Sequence, residues 1–197
     1  MRLVLASGSP RRSELLQRLR LQFEVRPADV DETRLPEEAP TAYVERVARA
    51  KAEAVAGEGL IVVAADTTVV HEGKIMGKPG HPEEARSMLR RLQGDVHEVF
   101  TGLAVGSWDG GVEVRSMVDV AEVELLPMTE EEIAWYVDSG EPLDKAGSYA
   151  LQGLGGMFVD KINGSPFTVV GLPIHLLARL VTASGGDITA FRAGAAG

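Results

Sequence analysis

Apolar residues fall either in short continuous runs, which predict buried strands, or at three- and four-residue spacing, which predicts amphipathic helices. The runs predict strands at Arg2–Ala6, Gln22–Arg26, Leu60–Ala65, Val69–His71, Lys74–Met76, Val96–Gly106, Val112–Leu126 and Met157–Ile162. The helical spacing predicts helices at 11–19, from Thr41 to about Ala56, at Pro82–Leu92, from Thr129 to Gly140 and from about Pro173 to Ser184. Because helices interleave with strands, the pattern predicts an α/β protein with a mixed central sheet flanked by helices.

Local signals indicate where several of these elements begin and end. Ser9 before Pro10 is typical of a helix start, because serine caps the first turn and proline suits the first helical position. Thr129 followed by Glu132 predicts a capping box. The pair Glu72-Gly73, between two short apolar runs, predicts a hairpin turn.

The composition is that of a soluble globular protein. With 45% hydrophobic and 25% charged residues, 197 residues suffice for one sizeable core or two small lobes. No apolar run approaches the ~20 residues of a membrane span, and the N-terminal apolar stretch is too short for a secretory signal. Without cysteine there is no disulfide and no thiolate chemistry. We therefore expect a cytoplasmic protein with no membrane partner, formed by a single domain over residues 1–197 with a loose tail from about residue 186.

The net charge of −9 argues against a nucleic-acid partner, since nucleic-acid-binding proteins normally carry a basic surplus. Positive charge is nevertheless concentrated at the N-terminus. The arginines among the first twenty residues are Arg2, Arg11, Arg12, Arg18 and Arg20, against Glu14 as the one acid. A local basic cluster in an acidic protein favours a small anionic ligand.

The segment Ser7–Arg12 lies between the first predicted strand and the first predicted helix. A helix N-terminus offers unpaired N–H groups and partial positive charge to phosphate oxygens. Ser7, Arg11 and Arg12 add hydroxyl and guanidinium donors at the same turn. The alternative is that Ser9 only caps the helix while both arginines face solvent. The combination favours phosphate binding.

Acids and lysines elsewhere in the chain supply further candidates. Asp66 ends an apolar run, and a carboxylate at the end of a central strand can hold a divalent ion or take a proton from water; the alternative is a turn aspartate. Asp31 or Glu32 could add a metal ligand, and Lys51 and Lys78 could neutralise phosphate charge. By default each of these four is a solvated surface residue.

Two common kinds of site are excluded. The segment 73–79 superficially resembles a Walker A loop, but its spacing is wrong and Pro79 stands where a hydroxyl residue would bind the metal. The four histidines lack the spacing of zinc ligands.

The Gly-rich segment 144–153 combines a flexible backbone with the amide of Gln152. An amide side chain donates and accepts together, as the recognition of a base edge requires. The alternative is that its glycines only form tight turns.

Together these segments resemble the Maf family of nucleoside triphosphate pyrophosphatases. The matching segments span about residues 5 to 173 and are ASGSPRRSELL, AADTTVV and EPLDKAGSYALQGLGGMFVDKINGSPFTVVGLP. The resemblance implies an α/β fold related to the inosine triphosphate pyrophosphatases, with two lobes around the cleft of the active site. It also implies a divalent cation, Mg²⁺ or Mn²⁺, and a homodimer.

The resemblance further implies roles for individual residues. Asp66 matches the family's catalytic acid, the expected proton acceptor, and would bind the metal with Glu32. The positions that match substrate contacts are Ser7, Arg11, Arg12, Lys51, Thr67, Lys78 and Gln152. The expected substrate is a nucleoside triphosphate, cut between its α and β phosphates.

The segment DKAGSYALQG, with Gln152, is similar to the branch that acts on dTTP and UTP. The expected activity is the hydrolysis of these nucleotides to the monophosphate and pyrophosphate, as a form of house-cleaning of non-canonical nucleotides. Two alternatives stay open at this point. One is the branch that acts on 7-methyl-GTP, and the other is a nucleotide-binding regulator of cell division without essential catalysis.

Overall fold

The computed structural model describes residues 1–194. The strands within this range are β1 Arg2–Leu5, β2 Glu24–Val25, β3 Leu60–His71, β4 Lys74–Met76, β5 Val96–Trp108, β6 Val112–Leu125 and β7 Val159–Asn163. The α-helices are α1 Pro10–Arg18, α2 Pro40–Val55, α3 Pro82–Leu92, α4 Glu130–Asp138, α5 Pro166–Val170 and α6 Ile174–Ala183. Short 3₁₀ helices cover Glu141–Asp144, Ala146–Ser148, Leu154–Phe158 and Ile188–Phe191. None of the described helices is both long enough and apolar enough to cross a bilayer.

The strands form one mixed sheet in the order β2-β1-β3-β5-β6-β7, and β4 pairs with β3. Strand β1 is parallel to both β2 and β3. Strand β4 is antiparallel to β3, and β7 is antiparallel to β6. The predicted α/β architecture with a mixed sheet is therefore confirmed.

The chain divides into two compact units. The first comprises Met1–Asp66, Thr101–Asp119 and the chain from Gly171 onward, and the second comprises Thr67–Phe100 and Val120–Val170. The first unit buries the small apolar side chains of β1, α2 and β3 in its core. The second unit packs α3 and α4 around larger side chains such as Tyr136 and Phe158. Three of the boundaries between the units fall inside the strands β3, β5 and β6, and the fourth lies at the end of α5. Because the chain passes between the units within regular elements, the sequence shows no linker composition there.

Several predicted boundary signals are found in the structure. Glu132 N donates to Thr129 Oγ1 and Thr129 N donates to Glu132 Oε2, which confirms the capping box of α4. Glu72 and Gly73 both have positive φ, 50° and 72°, and join β3 to β4 in the predicted hairpin. Helix α1 begins after Ser9 as predicted, although the Ser9 side chain makes no capping hydrogen bond.

Other predicted boundaries are wrong. Helix α2 begins at Pro40 rather than at a Thr41 cap, because proline supplies a helical φ and has no N–H to leave unpaired. Strand β3 does not end at Asp66 but continues to His71. The pairing of β1 with β3 ends at Leu5 and Val63, so Asp66 still lies beyond the carboxyl end of β1.

The predicted loose tail is also wrong for the residues that the structure describes. Phe191 is buried, and its carbonyl accepts a 2.6 Å hydrogen bond from Gln22 N. Ala193 N donates to Arg20 O at 2.7 Å, and Arg192 forms a β-bridge with Leu21. One buried aromatic ring and two backbone hydrogen bonds, which together form the bridge, thus hold the chain up to Ala193. The last three residues of the predicted tail lie outside the described range.

Candidate active site

The turn between β1 and α1 is organised around the buried hydroxyl of Ser7. Its Oγ accepts hydrogen bonds from Ser9 N at 3.2 Å and from Arg12 Nη1 at 3.0 Å. Arg12 Nε also donates to Gly171 O at 2.7 Å, so Arg12 ties this turn to the start of the last segment of the first unit. Arg12 is therefore not the solvent-facing arginine of the alternative interpretation.

Arg12 lies in a strongly charged environment. Burial lowers the pKa of its guanidinium, the neighbouring charge of Arg11 lowers it further, and the carboxylates of Asp66 and Glu32 raise it. These electrostatic interactions place four of the predicted site residues close to one another in the first unit. The sequence separation of Arg12 from Asp66 gives no sign of this proximity.

Lys51, Asp66 and Glu32 form the central cluster of the site. Lys51 Nζ lies 2.8 Å from Asp66 Oδ1 and 2.8 Å from Glu32 Oε1. The side chains of Lys51 and Asp66 are each 10% exposed, whereas that of Glu32 is 50% exposed. One ammonium group on α2 therefore holds a buried carboxylate of β3 and a half-exposed carboxylate of the loop before α2.

The pKa of Asp66 is raised above the usual range. Burial is the main cause, the positive charges of Lys51 and Arg12 oppose the rise, and the negative charge of Glu32 adds to it. A buried carboxylate with a raised pKa beside positive charge is typical of a catalytic base.

The loop that carries Glu32 is fixed to α2 by residues that the sequence analysis did not identify. Tyr43 donates through its hydroxyl to Glu32 O at 3.1 Å. Arg46 Nη2 donates to Thr33 O at 3.0 Å, and Arg46 forms a two-point ion pair with Glu38 at 2.6 and 2.8 Å. This pair lowers the pKa of Glu38 to about 2. Tyr43 and Arg46 are three positions apart and therefore share one face of α2. This spacing is the sequence signal that could have indicated that α2 holds the loop.

The two acids that the sequence left as alternatives have different partners. Glu32 contacts Lys51, whereas Asp31 Oδ1 accepts a 2.8 Å hydrogen bond from Thr33 N within its own loop. The structure thus brings Glu32, and not Asp31, to Lys51 in the cluster with Asp66.

The carboxylates of Glu32 and Asp66 fit a magnesium-type ion better than a zinc-type ion. Among residues 1–194 there is no group of three histidine or acidic side chains arranged as metal ligands. Both carboxylates contact the same ammonium, so their contacting oxygens are separated by no more than twice 2.8 Å. Proteins commonly bind Mg²⁺ through one or two carboxylates together with substrate phosphates and water. Glu32 and Asp66 thus match the type and number of ligands that a protein usually contributes to bound Mg²⁺.

The remaining predicted substrate contacts belong to the second unit. Thr67 follows Asp66 on β3 and is partly buried, and Lys78 is exposed two residues after β4. Gln152 is exposed in the turn before the 3₁₀ helix Leu154–Phe158. Gly147 N donates to Gly77 O at 3.1 Å, which connects the Gly-rich segment to the loop of Lys78.

Comparison with known proteins adds independent evidence. The sequence matches the family described as Maf-like protein over residues 2–184. A dTTP/UTP pyrophosphatase of Anaeromyxobacter dehalogenans is 54% identical over 186 residues, which cover 93% of this chain and 94% of that protein. A dTTP/UTP pyrophosphatase of Desulforamulus reducens is 49% identical over 189 residues, which cover 94% and 98% of the two chains.

Among solved structures, the Ham1 protein of Staphylococcus aureus is similar with a TM-score of 0.49 and 15% sequence identity. The match covers 93% of this chain and 99% of that protein. The family match extends over nearly the whole sequence and includes the segments of Ser7, Asp66 and Gln152. The chain belongs to the Maf-like protein family.

Proposed function

We propose that this protein is a nucleoside triphosphate pyrophosphatase that hydrolyses dTTP and UTP to the monophosphate and pyrophosphate. The observation that carries the proposal is the buried Asp66 carboxylate, which is held by Lys51 beside Glu32 and has a raised pKa. The names of the relatives from Anaeromyxobacter dehalogenans and Desulforamulus reducens support the same activity and the same nucleotides.

In this proposal, positively charged side chains neutralise the charge of the triphosphate, and backbone N–H groups donate hydrogen bonds to its oxygens. The N-terminus of α1 offers backbone N–H groups to phosphate oxygens, and Arg11 adds a guanidinium there. Lys51 and Lys78 supply two further positive charges. Ser7 and Arg12 shape the turn, because their side chains are hydrogen-bonded to each other.

Asp66 is assigned the role of general base. A water oxygen forms a bond to the α-phosphorus, the bond from that phosphorus to the oxygen bridging to the β-phosphate breaks, and the water proton moves to Asp66. Pyrophosphate leaves with the electron pair of the broken bond. Burial raises the pKa of Asp66, which makes its carboxylate a better proton acceptor than an exposed aspartate.

Glu32 and Asp66 would bind a divalent cation, Mg²⁺ or Mn²⁺. Such an ion supplies charge neutralisation and polarisation of phosphate oxygens. Metal ligand and general base are competing roles for Asp66, and the proposal keeps both. Glu32, which is half exposed, can turn from Lys51 towards an ion more easily than the buried Asp66.

Recognition of the base is assigned to Gln152. Arg11 and Thr67 are further contributors, because the resemblance to the Maf family matches them to positions associated with substrate preference. Every triphosphate has the same phosphates, so discrimination requires a group that pairs with the base edge. Thymine and uracil present a carbonyl–imide–carbonyl edge, to which an amide can both donate and accept. The proposal also includes a cytoplasmic location, as expected from the sequence, and a homodimer, as the family resemblance implies.

One experiment tests the activity and the substrate together. Purified protein with Mg²⁺ is assayed against dTTP, UTP, CTP, GTP and 7-methyl-GTP, and pyrophosphate and orthophosphate are measured separately. We expect pyrophosphate from dTTP and UTP in preference to the others. Orthophosphate with a nucleoside diphosphate would overturn the proposed bond cleavage. A preference for 7-methyl-GTP would overturn the base assignment, and binding without turnover would favour a regulator.

A further inference from the structure

We propose that Glu141 is a positioning residue for base selection, because its carboxylate binds the backbone directly after Gln152 and also the Tyr136 hydroxyl, which binds the backbone before it. The inference rests on the proposed function, in which Gln152 pairs with the base. Gln152 itself is exposed, so the accuracy of its placement depends on how firmly its backbone is held. A recognition group must be held to within about 0.5 Å, and the surrounding residues provide that accuracy.

The Glu141 carboxylate accepts three hydrogen bonds. Glu141 Oε1 accepts from Tyr136 Oη at 2.8 Å and from Gly155 N at 2.9 Å, and Oε2 accepts from Leu154 N at 3.0 Å. Burial raises the pKa of Glu141, but these hydrogen bonds outweigh burial, so its pKa is lowered. The carboxylate is therefore ionised at neutral pH and fixes the chain directly after Gln152.

Tyr136 continues this support to the other side of Gln152. Its ring is fully buried in the second unit, and its hydroxyl accepts a 3.0 Å hydrogen bond from Ala150 N while donating to Glu141. Glu141 and Tyr136 together thus hold the backbone at Ala150 and at Leu154 and Gly155. The two contact regions enclose the turn that carries Gln152.

The glycines of the turn are explained by the same two side chains. A Cβ at Gly153 would lie 1.9 Å from Glu141 Oε2, and a Cβ at Gly155 would lie 2.3 Å from Tyr136 Oη. The glycines therefore let a carboxylate and a hydroxyl approach the main chain directly. Gly153 and Gly155 are thus required for close packing against Glu141 and Tyr136, whether or not the turn also needs their conformational freedom.

Glu141 is fixed in turn by its own neighbours. Lys145 Nζ donates to Glu141 O at 2.8 Å and pairs with Asp144. Glu141 begins the 3₁₀ helix Glu141–Asp144 directly after Gly140, whose φ is 78°. These contacts hold the backbone that carries the Glu141 carboxylate, as a positioning role requires.

The test is the substitution Glu141→Gln, with Glu131→Gln on the exposed face of α4 as the matched control. Glutamine keeps the size but replaces one acceptor oxygen by a donor, so at least one N–H of the turn loses its partner. We expect the ratio of kcat/KM for UTP over CTP to fall about tenfold in Glu141→Gln, mainly through slower use of UTP, and to stay unchanged in Glu131→Gln.

A double-mutant cycle separates positioning from a general loss of structure. If Glu141 acts through Gln152, Glu141→Gln should leave the UTP/CTP ratio of a Gln152→Ala protein unchanged. Amide hydrogen exchange at Leu154 and Gly155 should be faster in Glu141→Gln than in Glu131→Gln. If Glu141→Gln does not fold, Leu154→Pro removes a single N–H at a first helical position that tolerates proline, and should lower the ratio less strongly.

The outcomes distinguish this inference from the function on which it rests. A wild-type protein without pyrophosphatase activity, or without preference for UTP over CTP, overturns both. A wild-type preference that persists unchanged in folded Glu141→Gln overturns the positioning role alone. An equal fall of the ratio in the Gln152→Ala background also overturns it, because the effect would then not pass through Gln152.

Discussion

Lys51 and Asp66 form a buried ion pair, with 2.8 Å between Nζ and Oδ1 and each side chain only 10% exposed. Removing one partner of a buried pair leaves the other charge unpaired and is strongly destabilising. Here the half-exposed Glu32 provides a second partner for Lys51. Asp66 depends on Lys51 to remain ionised, because burial already disfavours the charged form of its carboxylate.

Asp66→Asn should lower kcat for UTP by about 10²- to 10⁴-fold, the usual contribution of a general base. Asparagine keeps the size of the side chain but cannot accept the water proton, and Lys51 retains Glu32 as a partner. Steady-state kinetics and a thermal melt measure activity and folding separately. The exposed Asp109→Asn serves as the control and should keep the wild-type rate. A wild-type rate in Asp66→Asn would remove Asp66 from the mechanism.

Lys51→Met should move the acid limb of the pH–activity profile to higher pH. The charge and hydrogen bond of Lys51 lower the pKa of Asp66, so their loss raises that pKa further. Asp66 must be ionised to accept a proton, so activity is lost as the pH falls through its pKa. With a higher pKa that loss begins at a higher pH.

The measurement for Lys51→Met is kcat/KM for UTP as a function of pH. Lys51→Arg keeps the positive charge and is the control that should leave the acid limb close to its wild-type position. Phosphate binding weakens in Lys51→Met as well, which lowers the whole profile without shifting it. A profile that is lower but not shifted would show that Lys51 does not set the pKa of Asp66.

Local signals predicted much of the fold. The capping box of Thr129 and the hairpin at Glu72-Gly73 depend on residues adjacent in sequence, and both are found as predicted. Local signals do not predict the start of α2 at Pro40 or the end of β3 at His71, because a proline start and tertiary strand pairing override local propensity there. The sequence does not predict the order of the tail, because the backbone partners of Phe191 and Ala193 lie about 170 residues earlier in the chain.

The candidate site was predictable as a set of residue types but not as a set of contacts. Chemistry and family resemblance selected Ser7, Glu32, Lys51 and Asp66, and the structure brings them together. The sequence pattern does not predict the contacts of Glu141 with Leu154 and Gly155. These contacts depend on a turn whose conformation is held by tertiary hydrogen bonds. Supporting residues of this kind become visible only when the fold is known.

His97 should make the stability of the protein fall with pH below about 6.5. His97 is buried with Nε2 2.8 Å from Tyr149 Oη, and its Nδ1 is buried without a hydrogen-bond partner among the described residues. The pKa of His97 is lowered to about 4; burial is the main cause, the charge of His71 contributes, and that of Asp95 opposes. Between about 6.5 and about 4 the unfolded chain binds the proton and the folded protein does not, so the free energy of unfolding decreases as the pH falls.

The free energy of unfolding should fall by on the order of 3 kcal/mol between pH 7 and pH 4, because the pKa of His97 differs by about 2.5 between the folded and the unfolded chain. Urea unfolding at a series of pH values measures it for the wild type and for His97→Gln. The variant should show a weaker pH dependence over this range, whatever its stability at pH 7. Equal slopes for the wild type and His97→Gln would assign the acid sensitivity to other groups.

Gly102→Ala should destabilise the first unit and lower activity by displacing α2. A Cβ at Gly102 would lie 2.3 Å from Val44 O and 2.9 Å from Glu45 N, both in the backbone of α2. Backbone cannot rotate away as a long side chain can, so β5 or α2 must shift. The expected cost is about 1–3 kcal/mol, as for other overpacked sites. Because α2 also carries Lys51, the shift should alter the contact of Lys51 with Asp66.

The control is Gly111→Ala in the turn between β5 and β6, where nothing lies within 4 Å of an added Cβ. It adds the same methyl group without a clash and should melt within about 2 °C of the wild type, since surface substitutions usually change stability by less than about 0.5 kcal/mol. Gly102→Ala should melt several degrees lower by the same scaling. Its kcat for UTP, measured below the melting temperature, should also be reduced, since α2 positions Lys51. A variant that melts lower but keeps full kcat would show that α2 tolerates the shift without moving Lys51.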